Sequence, residues 1–381
     1  MLLRVVGRLL LVFSLYAVSI VAHGYDVNER FSVGGVLAGA WQCQFLTVSD
    51  AADDACRGAV PLNPEFGYKL TDQALLHARF AFVAGNGLNT VSPFQVSSWA
   101  ADLQDDVRDI NGRGRNYLMT AWYQHNFTIR PDIRLQATVG LIDSSEYLDT
   151  NLYSNDEYTQ FMNEALVNNP GVLLPAYDRG LAVSWGMGAW DIHAVYMNVG
   201  KTDEGGSDIA GSDSVDIADN YDYLGLEADY TLTTPLGMGN YRVMYLQTSD
   251  DFIHADGTKA ARSSAVLLSF DQSLGESLGA FLRVGRQSDD TAITYRSIYS
   301  GGLDISGNLW GRARDNVGLG IGFLEGGNES IDYSRVAEAY YRMVLHEHLA
   351  VTADLQYMRD VQRDGSGPEG FILGLRVVTN L

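Results

Sequence analysis

Residues 133–141, IRLQATVGL, alternate strictly between two kinds of side chain. Alternation with a period of two is typical of a β-strand that has one apolar and one polar face. The apolar face carries Ile133, Leu135, Ala137, Val139 and Leu141, and the opposite face carries Arg134, Gln136, Thr138 and Gly140.

The same alternation recurs along the chain from about residue 30 to its end and predicts sixteen strands. Short turns and long loops alternate between these strands without exception, which is the pattern of a transmembrane antiparallel β-barrel with periplasmic turns and outer loops. The strands have roughly 8–15 residues, enough for the about 9–11 tilted residues that cross a bilayer. Closure of the barrel pairs the backbone polar groups that lipid cannot solvate.

The first 24 residues contain Arg4 and Arg8 followed by an apolar run from Leu9 to Ala22, a pattern typical of a secretory signal peptide. We therefore predict a signal peptide at 1–24 and one barrel domain at 25–381. The remaining chain has 24 basic and 47 acidic residues, a net charge of −23. Such a charge argues against nucleic acids and other anionic polymers as partners.

The chain has two cysteines, Cys43 and Cys56, which we assign to the loop after strand one. In an oxidising compartment they can form a disulfide. Two free thiols are the alternative, and the disulfide is the interpretation we prefer.

Residues Ser144–Asp178 interrupt the alternation with a segment too long for an ordinary loop and too apolar for a solvated linker. We call this segment the central insert and predict that it folds into the barrel and narrows it. An external flap is the alternative. The polar side chains that we expect to border the constriction are Asp149, Asn155, Asp156, Glu157, Asn163 and Glu164.

Successive side chains of a strand point to opposite faces of the sheet, so odd or even position along a strand, which we call its parity, predicts which side chains face the interior. The basic and acidic residues predicted to line a pore are Arg79, Arg134, Arg342, Arg376, Glu338 and Asp354. Trp122 and Trp310 share the inward parity and could offer apolar faces to a sugar ring, although packing is the alternative. Strand thirteen has glycine at positions 318, 320 and 322, which indicates either a bulky inward neighbour or local curvature. Ion pairs could instead fill a plugged barrel, but sixteen strands favour an aqueous channel.

Several segments together resemble the carbohydrate-selective porins of the OprB type. The similar segments are YSNDEYTQFMNEALVNNP (153–170), FLEGGNESIDYSRVAEAYYR (323–342), LAVTADLQYMRD (349–360), GFILGLRV (370–377), WQCQ (41–44), DACRGAV (54–60) and AGNGL (84–88). The resemblance implies a sixteen-stranded outer-membrane barrel of a Gram-negative bacterium that passes glucose or other small sugars by diffusion. Leu381 departs from the family's usual ending, where a terminal aromatic residue is common.

The resemblance also implies partners: small carbohydrates, outer-membrane lipid and lipopolysaccharide, with the protein a monomer or a homotrimer. We expect no enzyme activity and no cofactor, apart from weak calcium binding in the acidic loops at Asp203–Asp222 and Asp250–Asp251. A general or other-solute channel is one alternative, and an outer-membrane barrel hydrolase is another, although no nucleophile–base signature is recognisable. A soluble β-protein would expose too much apolar surface.

Overall fold

The computed structural model describes residues 25–48, 52–107, 117–130, 132–200, 220–250, 252–257 and 259–381. This part of the chain forms a closed antiparallel barrel of sixteen strands, which confirms the predicted fold. The strands are β1 (Phe31–Val48), β2 (Ala55–Thr71), β3 (Ala74–Phe80, continued as Phe82–Ala84), β4 (Leu118–Arg130), β5 (Ile133–Ile142), β6 (Asp178–Met187), β7 (Trp190–Val199), β8 (Tyr221–Thr234), β9 (Gly237–Thr248), β10 (Ser264–Leu274), β11 (Leu278–Gln287), β12 (Tyr295–Ser306), β13 (Asn316–Gly326), β14 (Ile331–His346), β15 (Leu349–Gln362) and β16 (Glu369–Asn380).

Each strand pairs with its neighbour in the chain, and β16 pairs with β1 from Val36–Asn380 to Val48–Glu369, so the sheet has no free edge. Closure satisfies the backbone hydrogen bonds, which is what a strand in lipid requires. Short pairs outside the barrel wall join Tyr25–Asp26 to β1 and Phe252–Ile253 to Ala260–Ala261.

The last strand shows how the sequence alternation becomes two surfaces. Leu373 and Leu375 on β16 are 50% and 52% exposed and face outward, whereas Ile372 before them and Arg376 after them are fully buried. Apolar side chains on the outside and polar ones inside are the arrangement of a barrel surrounded by lipid.

The sequence pattern starts the second strand at Pro64 and ends the twelfth strand at Trp310, and both of these limits are wrong. The second strand begins at Ala55 and not at Pro64, so Cys43 and Cys56 lie on paired strands and form a disulfide across them. The twelfth strand ends at Ser306 and a 3₁₀ turn, Gly307–Trp310, follows it.

Connection lengths also depart from the predicted alternation near the end of the chain. The turn between β12 and β13, residues 307–315, is longer than the loop between β13 and β14, residues 327–330. The signal peptide at 1–24 and most of the acidic loop at 203–222 lie outside the described residues.

Helices in the described residues are α1 (Gln104–Val107), α2 (Glu164–Val167) and the 3₁₀ turns Ser144–Glu146 and Gly307–Trp310. None of them is long and apolar enough to cross a membrane. Both α1 and α2 belong to segments that fold into the barrel, and these segments build the site described next.

Candidate functional site

The central insert fills part of the barrel interior, which confirms the predicted inward fold. Phe161 and Leu166 have no solvent exposure and lie against Gly320 of β13. A Cβ atom added at Gly320 would come within 2.7 Å of Leu166 Cδ1 and 2.8 Å of Phe161 Cε1. Glycine is therefore required here by a close neighbour, the first of the two interpretations of this strand.

One buried arginine of the wall fixes the beginning of the insert. Arg283 on β11 pairs through Nε with Asp149 Oδ2 at 2.8 Å and donates to the carbonyl oxygens of Ser154 and Leu166. Glu227 on β8 accepts a hydrogen bond from the Asp149 backbone N–H at 2.8 Å. These contacts hold Asp149 in a left-handed conformation with φ of 57°, which a non-glycine residue adopts only when its surroundings enforce it.

The middle of the insert is fixed by β14–β16. Glu338 accepts hydrogen bonds from the backbone N–H groups of Met162 at 2.6 Å and Asn163 at 2.9 Å. Arg376 donates to the carbonyl oxygens of Glu157 and Gln160. Charged groups buried with several hydrogen bonds to one segment hold it firmly, because removing the segment would leave those groups unpaired.

A second inward segment, residues 85–107 between β3 and β4, packs against the insert. Its Ala100 N–H donates to Met162 O at 2.9 Å, and Trp99, which is 1% exposed, donates from Nε1 to Glu157 O at 3.1 Å. From the sequence alone this segment is a long polar loop, and no inward fold was predicted for it. The apolar residues within it, the same signal that identified the central insert, could have revealed it: Leu88, Phe94, Val96, Trp99 and Leu103.

A cavity of about 840 Å³, which we call the chamber, lies between the two inward segments and the wall of β2–β4. The wall contributes Asn63 and Glu65 from β2 and Arg79 from β3. The chamber is thus displaced toward the first strands, because the insert covers the wall on the side of β10–β16.

Arg79 joins the wall to the insert at the edge of the chamber. Its Nη2 donates to Glu146 Oε1 at 2.7 Å, and its Nη1 lies 3.8 Å from Glu65 Oε1. Close by, Tyr177 at the end of the insert donates from its hydroxyl to Asp102 Oδ2 of the second segment at 2.5 Å. The two inward segments and the wall therefore meet at a cluster of charged groups.

Burial changes the acidity of the carboxyl groups in this cluster. It raises the pKa of Asp102 to about 6 and that of Glu146 to about 7, where the Arg79 guanidinium partly opposes the effect. For Glu157 burial and the neighbouring Asp156 carboxylate raise the pKa to about 8. These groups titrate near neutral pH because protein surrounds them and excludes bulk water.

The structure separates the residues that sequence parity grouped together. Of the predicted wall residues, Arg79 borders the chamber, whereas Glu338, Asp354 and Arg376 lie behind the insert and are at most 5% exposed. Strand parity gives the direction of a side chain but not what covers it. In the insert, Asn155, Asp156, Glu157 and Glu164 border the chamber, and Asp149 and Asn163 are buried anchors.

The remaining predicted residues lie away from the chamber. Arg134 is at the short-turn end, where it pairs with Asp191 at 2.8 Å, and Arg342 is near the same end in register with Asn316 and Thr352. Trp122 faces inward but is 5% exposed and stacked on His77 at 4.5 Å, so its ring is packed.

The predicted inward position of Trp310 is wrong. The strand that would have carried it ends at Ser306, and the 3₁₀ turn brings Trp310 against Tyr341, whose ring centroid is 6.1 Å away on the outward face of β14.

The sequence matches a family model described as "Carbohydrate-selective porin, OprB family" over residues 67–381, which is most of the chain. The chain belongs to the OprB family. A relative from Aquifex aeolicus (strain VF5), described as an uncharacterized protein, is 28% identical over 318 residues, 83% of this chain and 84% of its own.

Solved structures with a similar fold include the low-pH structure of Pseudomonas putida OprB, with a TM-score of 0.57 and 13% identity over 92% of this chain and 93% of that one. The outer membrane channel DcaP of Acinetobacter baumannii has a TM-score of 0.57 and 10% identity, and the match covers 94% of this chain and 99% of that one. A Rhodopseudomonas blastica porin variant has a TM-score of 0.53 and 11% identity, and the match covers 92% of this chain and 100% of that one. OprB-family membership and the barrel identify an outer-membrane channel rather than an enzyme.

Proposed function

We propose that this protein passes small sugars such as glucose across the outer membrane of a Gram-negative bacterium by facilitated diffusion through the chamber. The observation that carries the proposal is a polar cavity of about 840 Å³ enclosed by a closed barrel and two inward segments. Cavities of about 300–1,000 Å³ commonly hold small molecules. Guanidinium, amide, phenol and carboxyl groups can together replace the water around sugar hydroxyls.

In this proposal Arg79, Asn155, Asp156, Glu157 and Glu164 border the solute path, and the two inward segments set its narrowest section. The wall residues Glu338, Asp354 and Arg376 act indirectly, since they hold the insert in position. Outer-membrane lipid and lipopolysaccharide would surround the apolar outer face. The protein would work as a monomer or as a homotrimer.

The test uses purified protein in planar bilayers and in liposomes. We expect stepwise conductance that glucose partly blocks, and swelling that is faster for monosaccharides than for disaccharides. Equal swelling rates for sugars and for amino acids of similar size would indicate a general channel instead. Absence of any solute permeation from protein that shows heat-modifiable mobility would overturn the proposal.

A further inference from the structure

The described lining of the chamber is unbalanced in charge. It contains nine acidic residues and one basic residue, Arg79. Three of the nine acidic residues, Asp105, Asp106 and Glu164, have further partners. Six carboxyl groups remain, and Arg79 pairs with only two of them, Glu65 and Glu146.

The two glutamates are incompletely supplied with donors within the described part of the chain. Glu146 has a side chain that is 9% exposed, and its Oε2 has no hydrogen-bond partner. The Oε2 atom of Glu65 faces one donor, His77 Nε2, at 3.6 Å, which is long for a hydrogen bond. An ionised carboxylate only accepts hydrogen bonds, so a solute that satisfies these oxygens must bring donors.

A second, separate group in the chamber lining is also unsatisfied. Asn169 is 2% exposed, and neither its Nδ2 nor its Oδ1 has a partner within the described part of the chain. Its amide offers donors and an acceptor together, the complement of a hydroxyl group, which can do both. A buried amide without partners carries a cost that a hydroxylated solute in the chamber would remove.

We propose that the chamber prefers hydroxylated solutes that carry a protonated amine, namely amino sugars, over neutral sugars of the same size. The ammonium group supplies three N–H donors and a positive charge to Glu146 and Glu65, and a ring hydroxyl satisfies Asn169. This inference rests on the proposed sugar permeation and names the substrate class of that same site.

The first experiment compares three sugars on the wild-type protein. Current block in planar bilayers at pH 7 is measured with glucosamine, with its neutral analogue N-acetylglucosamine and with glucose. We expect glucosamine to half-block the current at a concentration lower than the neutral sugars by roughly twofold to fivefold, the range of a partly screened charge interaction. Glucose permeation without any amine preference overturns this inference and leaves the proposed function standing, whereas impermeability to all three overturns both.

Variants locate the preference. Glu146→Gln keeps the size of the side chain and removes its charge, so the ratio between the half-blocking concentrations of glucose and glucosamine should fall toward one, whatever the change in block by glucose itself. Glu65→Gln provides the same test if the first variant does not assemble. Glu347→Gln, in the exposed turn between β14 and β15, removes one charge away from the chamber and is the matched control.

Asn169→Leu should weaken block by all three sugars alike and leave the glucosamine preference intact. Loss of glucose and glucosamine block in equal proportion in Glu146→Gln would mean that Glu146 only shapes the chamber, and the inference would fail. The control variant losing the preference as strongly as Glu146→Gln would contradict it as well.

Discussion

Arg79 shows how one side chain combines two tasks in this barrel. Its guanidinium supplies positive charge to the chamber and at the same time fastens Glu146 of the insert to the wall. Arg376 has the same inward direction but has no exposure, because the insert covers it and accepts hydrogen bonds from both of its Nη atoms. Whether a charged residue affects permeation therefore depends on whether its side chain remains exposed to the chamber, and not only on its charge.

The carboxyl groups of the chamber should make its ion selectivity depend on pH near neutrality. A carboxyl group with a raised pKa loses its charge at a higher pH than usual, so Asp102, Glu146 and Glu157 become neutral as the pH falls from about 8 to about 5. We expect the ratio of cation to anion permeability, measured as a reversal potential under a salt gradient, to decrease over this range.

Glu157→Gln should remove the part of this change nearest pH 8, and Glu347→Gln should leave the curve as it is. A permeability ratio that stays constant down to about pH 4.5, where ordinary carboxyl groups titrate, would contradict the assignment.

The central insert is packed against the inner wall of the barrel and is not an external loop. Its single-turn helix α2 is capped by Asn163, whose side chain accepts from Ala165 N–H, and the apolar residues beside it press on the glycines of β13. A larger residue at Gly320 would consequently push against Phe161 and Leu166. Such a substitution displaces the insert, since no open channel lies over this glycine.

Replacing residues 151–169 by a short Gly/Ser linker should raise single-channel conductance and weaken sugar block together. The linker removes the groups that narrow the chamber and uncovers the guanidinium of Arg376. Current should therefore also shift toward anions, which a simple widening would not produce. The measurement is conductance and reversal potential of linker and parent proteins. Unchanged conductance and block in a well-assembled linker variant would show that the insert does not limit permeation.

At the scale of the whole molecule, the barrel is asymmetric around its circumference. The insert covers β10–β16, and the chamber lies against β2–β4. The disulfide Cys43–Cys56 crosslinks β1 to β2, directly beside the seam where β1 meets β16. It thus reinforces the wall on the side where the chamber lies.

Removal of this disulfide by the double substitution Cys43→Ser/Cys56→Ser should reduce barrel stability without changing conductance. The crosslink spans 13 residues, for which the chain-entropy account gives at most about 3 kcal/mol in the free energy of unfolding. The temperature at which the folded gel band disappears measures the effect. Altered sugar block with unchanged thermal stability would assign the disulfide a role in the pore instead.

Sequence alone predicted the sixteen strands well because alternation is a local property that lipid and lumen impose on every strand. It also identified the insert from apolar residues that need cover. It missed Asn63, because the first half of β2 was assigned to a loop, and it did not select Glu65, which lies within the predicted strand. It could not predict that Arg79 borders the chamber whereas Arg376 is covered by the insert, because this difference depends on contacts between residues far apart in the chain.

The anchors of the insert also fix the order in which the interior can be completed. Met162 and Asn163 bind Glu338 across 176 and 175 residues, and Glu157 binds Arg376 across 219. The insert is synthesised before the strands that hold it, and long-range contacts of this kind form late. Until the last two hairpins fold, the middle of the insert lacks its contacts with Glu338 and Arg376, and its apolar residues remain accessible to chaperones and proteases.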